Sequence, residues 1–534
     1  MGIPSYFSYI VKNHPDIIKK LQNHTIQINN LYLDCNSIVY DVVHTTDFSN
    51  LVDTDVNTII KSVCSKIDEY ICLIKPNKSV FIAFDGVAPV AKLDQQRSRR
   101  YKSAYQNFIK KTIYNNTEAC DPWNTTAITP GTKFMSHLSA SVKKYYNNPI
   151  TYNLETIILS TSDKPGEGEH KLFQYIRDYP EKHSNETTVI YGLDADLIML
   201  CINHLPISKK IFLFRETPHF IQTINSELEP NATYLLDIPK LAEKITLNMN
   251  NNIELSTLQQ KNRIYDYIFI CFFLGNDFMP HFPSINIRTG GVDKMINAYK
   301  ATIGSTNENL IVENKIIWRN VRKLIQYLSE LEHDNFKQEM KLRNRIEKKY
   351  LPNDSPDEKF KKFEAVPIYE RQVEKYIDPY KNGWEERYYK ALFNVECSEE
   401  RIKSICINYL EALEWTMKYY TSSCSDWRWC YKYNYPPLLK DLIHYVPYFD
   451  TEFVAQNSTG PVSAMVQLCY VLPLQSLNLL PESVYANLIK EHPEWYKSDC
   501  NFQWAFCKYF WESHVELPEI EIAELEQCLS LNQK

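Results

Sequence analysis

Short apolar runs, each ending at an acidic or turn-forming residue and followed by helical spacing, recur through the first half of the chain. Val80, Phe81, Ile82, Ala83 and Phe84 make the clearest run, with the unbroken apolar character of a buried strand. Ile28 to Leu33, Thr156 to Leu159, Thr188 to Gly192 and Ile211 to Phe214 read the same way. Helical spacing fills the intervals. It predicts a short amphipathic helix over 1–20, with Phe7, Ile10, Val11, Ile17 and Ile18 on its apolar side, and further helices over about 55–74, 91–115, 133–146 and from His170 onward. Short strands alternating with helices predict an α/β fold, a mostly parallel sheet flanked by helices. In such sheets ligands bind beyond the carboxyl ends of the strands.

Acidic residues stand at those ends. Asp34 closes the first run and Asp85 the Val80–Phe84 run. Glu167 and Glu169 lie in the loop SDKPGEGEHK, and Asp194 and Asp196 in the loop after Gly192. Asp277 follows the apolar run from Tyr267 to Leu274, in the turn Gly275-Asn276-Asp277. Any one of these has a plain explanation, because aspartate favours turns. Recurrence after four successive strands, twice as acid-x-acid pairs, points instead to a shared crevice. Two like charges about 4 Å apart repel by about 4 kcal/mol at an effective dielectric near 20. A seven-carboxylate cluster therefore calls for cations, and all-oxygen ligation favours Mg²⁺ or Mn²⁺. Two such ions about 4 Å apart would activate a water and stabilise the leaving oxygen of a phosphodiester.

One loop beyond Asp85, Lys92, Gln96, Arg99 and Arg100 fall at i, i+4, i+7 and i+8 and share one helix face. Arg and Lys hold phosphate, so this face suits a phosphorylated end; the alternative is a solvated basic helix. The chain has no P-loop, G-x-S-x-G elbow or H-E-x-x-H motif, and its histidines are scattered.

From about 301 to 395 charge dominates. KQEMKLRNRIEKKYLPNDSPDEKFKKFE reads as solvated helix and then an exposed loop at 352–357, a connector between an α/β lobe at 1–300 and an aromatic-rich lobe at 396–534. In that last region Trp427, Trp429, Tyr431, Tyr433 and Tyr435 alternate, so an extended chain would aim all five the same way. They would make a stacking platform for bases, worth about 1–3 kcal/mol each, or an aromatic ladder inside the core. The core ladder is the expectation for most of the five, with one of the two tryptophans reaching the substrate.

The net charge of −6 confines any polyanion site to a local patch. Fourteen cysteines without a C-x-x-C pair read as reduced intracellular thiols. No apolar run reaches the roughly 18 residues of a membrane helix. The start MGIPSYFSYIVKNHP lacks a signal-peptide layout, and Tyr6 argues against myristoylation of Gly2.

FDGVAPVAKLDQQRSRRY, PGEGEHK, GLDADLI and LGNDFMP resemble the motifs of the Xrn-type 5′→3′ exoribonucleases. The resemblance begins at MGIPSYFSYIVKNHP, includes ITPGTKFM, YNYPPLLKDL and VLPLQSLNLLPE, and reaches WESHVELPEI. It implies a PIN-like nuclease domain with a mainly helical C-terminal region capping the active site. By the same resemblance Asp34, Asp85, Glu167, Glu169, Asp194, Asp196 and Asp277 would bind two Mg²⁺ or Mn²⁺ ions, and Lys92, Gln96, Arg99 and Arg100 would hold a 5′-monophosphate. Tyr40 stands where the family commonly has a base-stacking histidine; it would stack on the first base, opposite Trp427 or Trp429. The basic helix, ending near Asn115, is shorter than the family's projecting tower, and the chain stops after the catalytic core, as a compact member would.

The implied activity is processive 5′→3′ decay of 5′-monophosphorylated single-stranded RNA by a cytoplasmic monomer, with decapping or host decay factors as partners and no membrane association. A flap-type 5′ nuclease on DNA is the alternative, but the segment 280–291 has no clean G-x-G hairpin. An inactive RNA-binding scaffold is the third reading, although every acid position is filled.

Overall fold

In a computed structural model, the described residues are 5–21, 26–45, 56–115, 123–230, 232–395, 398–497 and 499–531. Seven strands form the central sheet: β1 (Ile18–Lys20), β2 (Asn30–Asp34), β3 (Ser79–Ala83), β4 (Thr156–Ser160), β5 (Thr188–Tyr191), β6 (Ile211–Glu216) and β7 (Thr233–Asp237). Their order is β1-β7-β6-β5-β2-β3-β4. The five strands from β6 to β4 are parallel, while β7 runs antiparallel to β6 and β1 antiparallel to β7. The chain adds β3 and β4 on one side of β2, then crosses to add β5 and β6 on the other. The reversal at β2 is a topological switch point, where an open α/β sheet forms its crevice.

Side chains alternate across this sheet, as strand geometry requires. Tyr32, Phe81 and Ile190 face a core shared with Leu172, Phe173, Ile176 and Leu197 from the helices Gly168–Asp178 and Asp196–His204. Leu31, Leu33, Val80, Ile82, Val189 and Tyr191 face the other core, built with the helices Asn36–Thr45, Val56–Ile74 and Lys133–Tyr145.

Two sequence expectations change here. The helix expected over 1–20 spans only Tyr6–Asn13 of the described residues; Pro15 opens a 3-10 turn, and Ile18–Lys20 pairs with β7 as an edge strand. Proline lacks an amide N–H and favours the first turn of a new helix over the interior of an old one. The strand β7 is the second, a five-residue segment that sequence periodicity did not single out.

The 301–395 stretch contains the helix Trp318–Ile346, whose Trp318, Val321, Leu324, Ile325 and Leu328 enter the main core. Its charged end is only partly solvated. Phe336 and Met340 are buried, and Arg343 donates to Glu374 (2.8 and 2.6 Å), which also accepts from Arg371 (2.6 Å). Residues 352–357 are exposed, as expected, and Ser355 and Glu358 form a capping box for the helix Pro356–Glu364.

On the same long helix Glu332 is buried and accepts the backbone N–H groups of Leu439 (2.7 Å) and Lys440 (3.1 Å). Burial pushes its carboxyl up to about 8. A carboxyl with a raised folded-state pKa stabilises the fold fully below its unfolded value, and that stability fades as pH rises through the folded value. Stability from this group therefore falls between about pH 4.5 and 8. In thermal unfolding, Glu332→Gln should lose less melting temperature than the wild type between pH 5 and pH 9; equal losses would refute the assignment.

Candidate active site

The sheet brings the predicted acids together at its carboxyl edge. Asp34 ends β2, Asp85 lies two residues past β3, Glu167 and Glu169 bracket the start of the Gly168–Asp178 helix after β4, and Asp194 and Asp196 follow β5. Asp277 comes from elsewhere, the turn after the helix Thr257–Phe272, whose apolar run from Tyr267 to Leu274 is buried on all sides.

Local backbone geometry sets the spacing. Asp85 accepts the Gly168 amide N–H on Oδ1 (2.6 Å) and the Asn36 side-chain amide on Oδ2 (2.6 Å), while its own N–H donates to Asn36 Oδ1 (3.0 Å). Three segments are thereby tied through one carboxylate. A Cβ on Gly168 would stand 2.7 Å from Asp34 Oδ1 and 3.4 Å from Asp85 Oδ1, so glycine is what lets the helix start approach β2. A Cβ on Gly192 would meet Leu197 Cδ1 at 2.0 Å. Arg215 donates to the Leu193 carbonyl (2.8 Å) and lies over the Phe7 ring (3.7 Å), pinning the loop that carries Asp194.

The charge balance of the cluster centres on Lys92. Its Nζ is 2.5 Å from Glu167 Oε2 and 2.7 Å from Asp277 Oδ2, and its side chain is 12% exposed. This ammonium is inside the acid cluster, not on the open cationic face that helical spacing suggested. Burial works against its charge, but Asp277, Glu167 and Glu169 outweigh burial and hold its pKa well above the ordinary lysine value. Burial likewise opposes ionisation of Asp277, yet Lys92 keeps that carboxyl below the usual carboxylate range. Asp34, Glu169 and Asp196 move the opposite way. Burial, reinforced by Asp85, raises Asp34; burial, reinforced by Glu167, raises Glu169; burial, reinforced by Asp277, pushes Asp196 up to about 7.

Asp34 Oδ1 and Glu169 Oε2 are buried with no hydrogen-bond partner among the described residues. Buried polar atoms are almost always satisfied, and a bound cation would satisfy these two carboxylate oxygens. An all-oxygen donor set of this kind fits a hard divalent ion. Among the described residues, no three His, Cys, Asp or Glu groups already converge into a metal cage.

The remaining helix-face residues separate from Lys92. Arg100 donates through Nη2 to Thr129 Oγ1 (2.6 Å), and its Nη1 is buried with no partner among the described residues, as is Gln96 Oε1. Burial lowers the Arg100 guanidinium to about 10, with Tyr40 close enough to oppose that shift. Arg99 is half-buried and acts on Asp277 through its charge. Tyr40 is half-buried on the helix Asn36–Thr45.

The five alternating aromatics do not form one extended row: residues 427–435 carry no strand, and a turn at Trp427-Arg428 breaks the alternation. Trp427 is half-buried, and its carbonyl accepts the Val90 N–H (2.9 Å) at the first residue of the helix Val90–Ile113. Trp429 stacks on Trp415 (5.1 Å, 23°), which stacks on Tyr419 (4.9 Å, 25°), which stacks on His170 (3.8 Å, 27°). Tyr431 and Tyr435 are buried, and Tyr433 packs against Phe393 (5.6 Å). The core-ladder expectation thus describes Trp429, Tyr431, Tyr433 and Tyr435.

Sequence reasoning missed Asn36, Arg215 and Tyr419. Tyr419 donates to Glu167 Oε1 (2.9 Å) from the helix Glu399–Thr421, which carries the C-terminal region into the acid cluster. Asn36 follows Asp34 by two residues, so its proximity was legible; the partners of Arg215 and Tyr419 are set by tertiary packing alone.

Residues 1–217 match the family described as XRN 5′-3′ exonuclease N-terminus, and residues 257–376 and 369–533 match the Xrn1 helical domain. The 5′-3′ exoribonuclease 2 homolog of Drosophila melanogaster is 26% identical, over 99% of this chain and 71% of its own length. The 5′-3′ exoribonuclease 1 of Saccharomyces cerevisiae is 28% identical, over 90% of this chain and 40% of its own. The human 5′-3′ exoribonuclease 1 is 27% identical, over 99% and 34%. With an acid-lined switch point in an α/β domain, a helical region packed onto it, and profile matches that together run along almost all of its length, the chain belongs to the Xrn family of 5′→3′ exoribonucleases.

Proposed function

We propose that the chain is a processive 5′→3′ exoribonuclease that removes nucleotides one at a time from 5′-monophosphorylated single-stranded RNA. The observation that carries this reading is the acid cluster at the sheet's switch point together with Arg100, two helical turns on from Lys92, whose Nη1 is buried and unpartnered among the described residues. A buried guanidinium with a free donor is suited to a charge-assisted bond from a terminal phosphate. Gln96, Arg99 and Arg100 would receive that phosphate. Lys92 holds Glu167 and Asp277 in place and would bond the phosphate as it enters.

Asp34, Asp85, Glu167, Glu169, Asp194, Asp196 and Asp277 would hold two Mg²⁺ or Mn²⁺ ions. When bound, these supply a polarised water and charge stabilisation of the leaving 3′ oxygen. Tyr40 and Trp427 would flank the first base. Trp429, with one face on Trp415 and Nε1 donating to Glu411 (3.3 Å), supports the wall behind them. The protein would act as a cytoplasmic monomer on ends exposed by decapping or host decay factors. No helix among the described residues is long and apolar enough to cross a membrane.

The test uses one RNA with a 5′-hydroxyl, 5′-monophosphate or 5′-triphosphate. The monophosphate form should decay at least tenfold faster than the other two, and Arg100→Ala should erase most of that preference. Equal attack on all three ends by the wild type would refute the reading.

A further inference from the structure

A cavity of about 380 Å³ lies along the basic helix, and neither Tyr40 nor Trp427 lines it. Gln95, Ser98, Arg99 and Lys102, at i, i+3, i+4 and i+7, form its helical wall. Asn276, Asp277 and His281 form the wall toward the acid cluster, and Tyr435 and Ser513 come from the C-terminal region. The acid-cluster mechanism uses only its edge, at Arg99 and Asp277.

Its polar lining is unsatisfied. Gln95 Oε1, Asn276 Nδ2, His281 Nε2 and Ser513 Oγ are all buried without a hydrogen-bond partner among the described residues, while the Tyr435 hydroxyl is met by the Ala505 backbone. Tyr435 is 4% exposed and Ser513 is 1% exposed. Four orphaned polar atoms around one cavity are a built recognition site, because each costs free energy unless a ligand or water answers it. They combine donors and acceptors, as the edge of a nucleobase requires, and the aromatic sides of Tyr431, Tyr433 and Trp511 border the same space. Burial keeps His281 neutral at physiological pH, so the lining does not repel an uncharged base. The volume is at the low end of the roughly 300–1,000 Å³ of small-molecule sites, suited to one nucleotide and not to an oligomer.

Arg99 and Asp277 are common to this cavity and the acid site. We propose that the cavity receives the excised nucleoside 5′-monophosphate before release, its base among the unsatisfied polar groups and its phosphate retained by Arg99. The identity of the ligand rests on the exoribonuclease reading above. Seating the base in the cavity would draw the product's phosphate off Gln96 and Arg100, leaving it on Arg99 alone, so that the next 5′ end can advance.

The test is a calorimetric titration with AMP, paired with single-turnover and multiple-turnover decay of 5′-monophosphorylated RNA. Ser98→Leu and Ser513→Leu each project bulk into the cavity from a different wall, and circular dichroism confirms their folding. Each should weaken AMP binding at least tenfold. Ser98→Leu should excise the first nucleotide within twofold of the wild-type rate while slowing successive cycles several-fold. Unchanged AMP affinity in both variants, or AMP binding lost only in Arg100→Ala, would overturn the proposal. Failure of the wild type to excise any nucleotide would refute the functional reading instead, and the AMP titration would still decide the cavity.

Discussion

Lys92→Met is expected to lower both stability and activity, with the stability loss growing as pH rises. The substituted side chain keeps the length and apolar stem of lysine but removes the ammonium that lies 2.5 Å from Glu167 and 2.7 Å from Asp277. Breaking a buried ion pair from one side costs about 3–5 kcal/mol, because the remaining charge is left uncompensated. Here two carboxylates are left. Asp277 is held below the usual carboxylate range chiefly by Lys92, so its contribution to stability is present above the ordinary carboxylate pKa and lost as pH falls through the depressed value. The variant should therefore melt far below the wild type at pH 8, and the gap should narrow at pH 5, where the acids left without Lys92 protonate. Added Mg²⁺ should recover part of the loss, since a dication can replace the missing positive charge. Decay of 5′-monophosphorylated RNA should fall at least a hundredfold. A melting temperature equal to the wild type's at pH 8 would show that Lys92 does not hold the cluster.

Gly168→Ala separates the geometry of the cluster from its charge. The change adds one methyl group and no charge, and the Gly168 backbone is not in the left-handed region, so alanine meets no conformational penalty there. The added Cβ would nevertheless stand 2.7 Å from Asp34 Oδ1, and the amide that donates to Asp85 Oδ1 would have to move with the helix start. Displacements of about 1 Å in a reacting constellation cost about a hundredfold in rate. The expected result is a folded protein, within about 1 kcal/mol of the wild type by denaturant unfolding because only one surface of one crevice shifts, with RNA decay reduced about a hundredfold. Wild-type activity in this variant would mean that the spacing of Asp34 and Asp85 is not critical.

Much of this site was readable before the fold was known, and the reason is local. Strands of a parallel sheet end in the same direction, so acids at the ends of β2, β3 and β5 had to share an edge. Register then supplied the proximity without any long-range information. The acid partners of Lys92 were not legible, because helical spacing reports which residues share a face but not what that face meets. The turn at 275–277 brings Asp277 against Lys92 from 185 positions away in sequence, and nothing local announces it. The common direction of the five alternating aromatics was lost for a related reason. Alternation implies a common direction only if the chain is extended, and the turn at Trp427-Arg428 sends Trp429 onto Trp415 instead. The charge-rich stretch after residue 301 shows the limit of composition as a guide. Arg343, Arg371 and Glu374 count as polar in any window, yet they satisfy one another inside the protein.

The central claim is that the acid cluster performs directional hydrolysis of RNA. The most direct measurement follows a 3′-labelled, 5′-monophosphorylated RNA incubated with Mg²⁺ and either the wild type or Asp85→Asn, with the folded state of both confirmed. This substitution keeps the size of the side chain that bridges Asn36 and Gly168 while removing its charge. The wild type should consume the RNA from the 5′ end without long intermediates, releasing nucleoside 5′-monophosphates, and the variant should leave it intact. Discrete internal fragments from the wild type, or undiminished decay by the variant, would contradict the account.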